Sequence, residues 1–123
     1  MATITGYTLT DRPEYAQSAV SDDAQPADVV EMTDLPTDLV HVFIACKFYD
    51  AADSAVTPSG GTLTIEVQTA GNQPNWEDPP ETSIDATAPT TIDWAANTYG
   101  VRITPSGLTG VDHWTAVLYL NKT

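Results

Sequence analysis

Positive charge is scarce in this chain: four Lys and Arg against seventeen Asp and Glu leave a formal net charge of −13. Nucleic acid is held by neutralising its phosphates with Lys and Arg, and anionic membrane surfaces attract basic clusters, so neither partner is expected. Four cations cannot pair with seventeen anions, and most carboxylates must be solvated or face a basic partner. Charge this far from zero also favours solubility and opposes non-specific association. Cysteine is almost absent as well. Cys46 stands alone in the apolar run Val40-His41-Val42-Phe43-Ile44-Ala45-Cys46 and reads as a buried small hydrophobe rather than a reactive thiol. No apolar stretch is long enough to span a bilayer as a helix, and no segment carries a helical hydrophobic period. The start, Met1-Ala2-Thr3-Ile4-Thr5-Gly6, has neither a basic region nor a following apolar run, so synthesis and assembly in a cytoplasm are expected.

What replaces charge is Thr, Ser, Asn, Gln, Gly and Pro. Thr suits a pleated, half-buried surface, and Gly and Pro punctuate it. A chain of 123 residues makes one domain, which buries about two-thirds of its extended surface and needs no disulfide. Residues 39–49 form the strongest strand, with Val40, Val42, Ile44, Cys46 and Phe48 on one face and His41, Phe43, Ala45, Lys47 and Tyr49 on the other. Residues 62–69 alternate cleanly, with Leu63, Ile65 and Val67 inward. Residues 29–32, 83–87, 91–95, 99–104 and 114–121 supply further strands, and 3–10 a Thr-rich strand or extended arm. Residues 16–27 are polar and weakly patterned, and read as a surface loop or tether. Thr-Pro-Ser-Gly occurs at 57–60 and again at 104–107, and both copies read as hairpin turns. The expected fold is all-β: an antiparallel β-sandwich or jelly roll of seven to eight strands, with an N-terminal arm and loop (1–27) and a sandwich body (28–123).

Chemistry-bearing clusters are scarce. His41 and His113 are the only imidazoles, and neither has partners at metal-ligand spacing. Asp22-Asp23, Glu77-Asp78 with Glu81, and Asp50 with Asp53 are the pairs that composition alone produces in so acidic a chain. They match no calcium-hand pattern, although a calcium-binding loop stays open as an alternative. No catalytic residue, metal ligand or cofactor is expected. Trp94 and Trp114 read as core. Trp76, among Gln73, Pro74, Asn75, Glu77 and Asp78, either plugs one end of the sandwich or meets a partner.

The most pointed feature is hydrophobicity on both faces of two strands. Phe43, Ala45 and Tyr49 lie opposite the core face of residues 39–49. Val117 and Tyr119 lie opposite Trp114, Ala116, Leu118 and Leu120. The outer face of a sandwich sheet is ordinarily polar, so these groups predict a second buried surface, made by an oligomer contact or a covering arm. Tyr7, Tyr15, Phe43, Tyr49, Trp76, Val117 and Tyr119 are the interface candidates. The arm at residues 2–10 or the loop at 15–28 is expected to reach onto a neighbouring subunit or onto the particle shell.

The stretches Val56-Thr57-Pro58-Ser59-Gly60-Gly61-Thr62-Leu63-Thr64-Ile65-Glu66-Val67, Thr91-Ile92-Asp93-Trp94-Ala95-Ala96-Asn97 and Val101-Arg102-Ile103-Thr104-Pro105-Ser106-Gly107-Leu108-Thr109-Gly110-Val111-Asp112-His113-Trp114, with Trp76 between the first two, resemble small virion proteins of tailed bacteriophages. Capsid decoration and head-fibre modules are among these, and the similar part runs over residues 40–123. The resemblance implies a non-enzymatic β-sandwich in the virion, bound to the major capsid protein or another virion protein, often as a homotrimer. It carries over no functional residue, because the shared positions read as turns and core. Three rivals remain: a tail or neck position on the same particle, a carbohydrate-binding module with Trp76 and Tyr99 as stacking platforms, and a small hydrolase using the carboxylates.

Overall fold

The computed structural model describes residues 2–11, 16–33, 35, 39–68, 76, 83–87, 92–94 and 99–122. Among these there are ten strands and no helix: β1 (Thr3–Ile4), β2 (Tyr7–Asp11), β3 (Ala16–Ser21), β4 (Val29–Met32), β5 (Leu39–Tyr49), β6 (Gly60–Gln68), β7 (Ser83–Asp85), β8 (Ile92–Trp94), β9 (Gly100–Thr109) and β10 (His113–Lys122). They form two five-stranded sheets, ordered β1-β4-β9-β6-β7 and β2-β3-β10-β5-β8. Every pairing is antiparallel except β1 with β4.

Leaving aside β1 and β2, the remaining eight strands give β4-β9-β6-β7 facing β3-β10-β5-β8. Successive strands change sheet at every connection but β6–β7, which is the jelly-roll order. β1 and β2 then add one strand to an edge of each sheet. The inward faces meet in one cluster: Val30, Met32, Leu63, Ile65, Val67, Val101 and Ile103 from one sheet, with Ile44, Phe48, Trp114, Ala116 and Leu118 from the other. Period-two alternation puts them there, as in β6, where Leu63, Ile65 and Val67 are buried while Thr62 and Thr64 are exposed. Among the described residues Trp114 is the largest fully buried side chain, with its ring 6.4 Å from that of Phe48. Its indole N–H donates to the Gln25 carbonyl at 2.9 Å.

The polar segment 16–27 is not a loop throughout, as its composition suggested. Residues 16–21 form β3, between β2 and β10. Its small residues fit opposite large ones: Ala19 faces Leu118 and Ser18 faces Tyr119, while Ala24 bridges to Trp114. Ala19 and Ala24 are wholly buried. Small side chains carry little hydrophobic contrast, which hides the strand period. The N-terminal residues do not form a free arm either. Thr3 and Ile4 pair with Val29 and Val30, Val29 N–H donates to the Ala2 carbonyl, and Asp22 N–H donates to the Gly6 carbonyl. Residues 2–11 are therefore bound within their own molecule.

Neither Thr-Pro-Ser-Gly copy makes a hairpin. The first lies on the crossover from β5 to β6, which belong to different sheets. The second lies inside β9, where Pro105 pairs with Leu63. It sits beyond Val101–Ile103, the stretch paired with β4, so the missing N–H breaks no ladder to that strand. A register shift between Gly60 and Thr62 accommodates the extra residue. Gly61 there adopts φ +126°, and a Cβ on it would lie 2.8 Å from Leu108 Cα.

Candidate interaction face

Cross-strand register sorts the predicted interface residues. On the outer face of the β2-β3-β10-β5-β8 sheet, Val117 lies between Val20 and Ala45, and Tyr119 between Ser18 and Phe43. Thr115 faces Lys47 and His113 faces Tyr49. The structure thus brings Phe43, Tyr49, Val117 and Tyr119 onto one surface. It adds Val20, which the loop reading of residues 16–27 concealed. Val20 is 36% exposed, whereas Val117, at the centre, is only 4% exposed. Along the β3, β10 and β5 positions from Ser18 to Val20, His113 to Tyr119 and Phe43 to Tyr49, this face has no carboxylate, and Lys47 is exposed on it.

The outer face of the other sheet is built differently. Glu31, Arg102 and Glu66 stand in one register row across β4, β9 and β6. Arg102 Nη2 lies 2.9 Å from Glu66 Oε1, and its Nη1 lies 4.0 Å from Glu31 Oε2. Trp76 belongs to this side. The Arg102 guanidinium sits 4.6 Å from its ring centroid, and Gly100 leaves room for the indole, since a Cβ there would be 3.3 Å from Trp76 Cη2. Tyr7 has the register of the inward face, is half-buried against the core, and donates from its hydroxyl to the Thr33 carbonyl at 2.6 Å. Tyr15 lies outside the described residues, as do Glu77, Asp78 and Glu81.

At one end of the sandwich the connections β3–β4, β5–β6, β7–β8 and β9–β10 converge. The Ala24–Trp114 bridge, Asp112 N–H to the Tyr49 carbonyl, Ser59 N–H to the Thr109 carbonyl and Ala86 N–H to the Gly61 carbonyl record this. His113 is the first residue of β10. Its Nδ1 is 2.9 Å from Asp112 Oδ2, its Nε2 is 2.7 Å from Asp53 Oδ1, and its ring stacks on Tyr49 at 5.3 Å and 18°. The hydrogen bond to Asp112 holds its pKa above the ordinary 6.5 against partial desolvation, with the charges of Asp23 and Asp53 adding to the effect.

Asp28 closes the β3–β4 connection. Its carboxylate accepts the Gln25 and Ala2 N–H groups at 2.9 Å each, and these bonds lower its pKa below the usual 3.8. Cys46, on the inward face of β5, packs against the core. Desolvation pushes its thiol up to about 12, which keeps it protonated and non-nucleophilic at neutral pH. Among the described residues no group of three or more His, Cys, Asp or Glu is placed to hold a metal ion. No described helix is long and apolar enough to cross a membrane.

A family model described as a domain of unknown function, DUF7265, matches residues 16–123. The chain belongs to that family. No curated protein matches this DUF7265 member. Among solved structures it is similar to the capsid of Ralstonia phage GP4 (14% identity, 94% of this chain and 91% of that one, TM-score 0.47). It is also similar to a cupin domain from Bordetella pertussis (9%, 100% and 97%, 0.44) and to a Bacillus endospore appendage protein that forms disulfide-linked pili (8%, 96% and 92%, 0.45). None of these likenesses indicates the role of the DUF7265 chain.

Proposed function

We propose that this DUF7265 protein is a non-enzymatic structural subunit of a tailed-phage virion, docking on the outside of the head shell as a decoration protein. The observation that carries the reading is the contrast between the two outer faces. One is an ordinary solvated surface, with Glu31, Arg102 and Glu66 paired across its strands. The other carries exposed Val20 and half-buried Phe43 and Tyr119 around a buried Val117, with no carboxylate on its central three strands. A subunit of charge −13 can approach a copy of itself, or an assembled shell, with least repulsion through that surface. The resemblance of residues 40–123 to small virion proteins supports the same role.

The carbohydrate-binding alternative loses ground on one contact: the Trp76 ring already carries the Arg102 guanidinium. The test is co-expression with the major capsid protein of the same genome, followed by gradient sedimentation of assembled particles. The protein should travel with the particles in fixed stoichiometry. Its retention at the top of the gradient, with shells fully assembled, would overturn the decoration role.

A further inference from the structure

We infer that His113, in its imidazolium form, is a pH-sensitive clasp that fastens the β5–β6 connection to the end of the sandwich. The first two residues of β10 point to opposite faces and each secure a different connection. Trp114 points inward and holds the β3–β4 segment, through the Gln25 carbonyl on its indole N–H and a two-way backbone bridge with Ala24. His113 points outward and reaches two carboxylates from two other connections, Asp112 preceding β10 and Asp53 following β5.

Only the protonated ring can donate to both at once. Neutral imidazole has one N–H and one lone pair, so one of the two carboxylates would then face an acceptor instead of a donor. The surroundings make that loss consequential. Asp23 of the β3–β4 segment, Asp53 of β5–β6 and Asp112 of β9–β10 are the charged groups acting on the ring, and Tyr49 of β5 stacks on it. None of these carries positive charge, so loss of the imidazolium proton leaves three carboxylates without their shared cation.

The tip of the β5–β6 connection, residues 50–54, is the part free to respond, since Val56 and Ser59 are already held by the Phe48 and Thr109 carbonyls. It is a small turn in which Asp50 Oδ1 accepts the Ala52 and Ser54 N–H groups at 2.9 Å each, and Asp50 N–H returns to the Ser54 carbonyl. Asp53 sits in it at φ +62°, a left-handed conformation that Asp tolerates but does not favour. Its side chain is 82% exposed, while that of His113 is 12% exposed. The exposed partner is therefore the one that swings away, and the ring stays against Tyr49. The sign follows: a raised pKa means the clasp is closed below the ordinary histidine value and opens as pH rises through the higher folded value.

The test is an NMR titration of the intact chain, following the His113 ring protons together with amide exchange at Ala52 and Ser54, corrected for the intrinsic pH dependence of exchange. The ring should titrate with a midpoint above 6.5, and protection of both amides should fall several-fold across that same titration. His113→Gln keeps a polar side chain on the outer face and should abolish the pH-dependent step. Asp53→Asn should lower protection at acidic pH while leaving the Asp112 bond to the ring. A midpoint at or below 6.5, or a protection profile in His113→Gln that matches the wild type, would overturn the clasp.

Discussion

Replacing Trp114 with Phe tests how the end of the jelly roll is held. The indole is fully buried, contacts Phe48, and donates its N–H to the Gln25 carbonyl at 2.9 Å. The substitution removes part of the ring from a close-packed core, worth about 1.5 kcal/mol at roughly 0.8 kcal/mol per buried carbon. It also strips a partly buried carbonyl of its donor, which costs about another 1 kcal/mol. The sum is about 2.5 kcal/mol, and incomplete collapse around the smaller ring adds to it. At roughly 3–5 °C per kcal/mol for a domain of this size, the melting temperature should fall by about 8–12 °C. Urea unfolding followed by far-UV circular dichroism reads both the midpoint and the slope, and the slope should stay unchanged because the unfolded surface hardly differs. Amide exchange at Ala24, whose N–H is bonded to the Trp114 carbonyl, should rise along with it. A loss below about 0.5 kcal/mol, the scale of an ordinary surface substitution, would refute the idea that this one side chain both fills the core and secures the β3–β4 segment.

Two further perturbations follow from the same geometry. Asp28→Ala removes two charge-assisted bonds and should cost about 1–3 kcal/mol at neutral pH by chemical denaturation. Because the folded pKa is lowered, that stabilisation is complete above the unfolded value near 3.8 and disappears as pH falls through the lower folded value, so wild type and variant should converge in strong acid. Gly61→Ala and Gly107→Ala should differ: both sites have positive φ, but a Cβ on Gly107 meets nothing within 4 Å, whereas one on Gly61 strikes the Leu108 backbone. The first variant should lose more stability than the second, whose cost is the left-handed penalty of about 1–2 kcal/mol alone, and equal losses would show that the bulge yields.

The parts of the fold legible in the sequence are those with strong hydrophobic contrast. β6 alternates cleanly and β5 and β10 are long apolar runs, and the buried residues Ile44, Leu63, Ile65, Val67 and Leu118 lie on the face that the sequence pattern assigns to the core. β3 was illegible because Ala and Ser report neither face, and the reason for those residues, large partners across the strands at Leu118 and Tyr119, is a tertiary fact. The second Thr-Pro-Ser-Gly misled because turn chemistry also serves an irregular strand: Pro105 lies past the end of β4, and Gly107 supplies a left-handed residue at φ +65°. The outer-face hydrophobics Phe43, Tyr49, Val117 and Tyr119 stood out in the sequence, while Val20 was hidden with its strand. Nothing in the sequence linked His113 to Asp53, since their proximity depends on the β5–β6 and β9–β10 connections meeting at one end of the sandwich.

The central question is which face docks. Two matched charge insertions decide it: Val20→Asp on the outer face of β3, and Thr64→Asp on the exposed outer face of β6. Both positions are solvent-accessible strand sites, so each variant should retain the fold, with stability within about 0.5 kcal/mol of wild type. Co-sedimentation with assembled shells is the measurement. Val20→Asp should leave the particle fraction while Thr64→Asp remains bound as wild type does; binding lost with Thr64→Asp and kept with Val20→Asp, or equal in the two, would contradict the assignment of the β3-β10-β5 face.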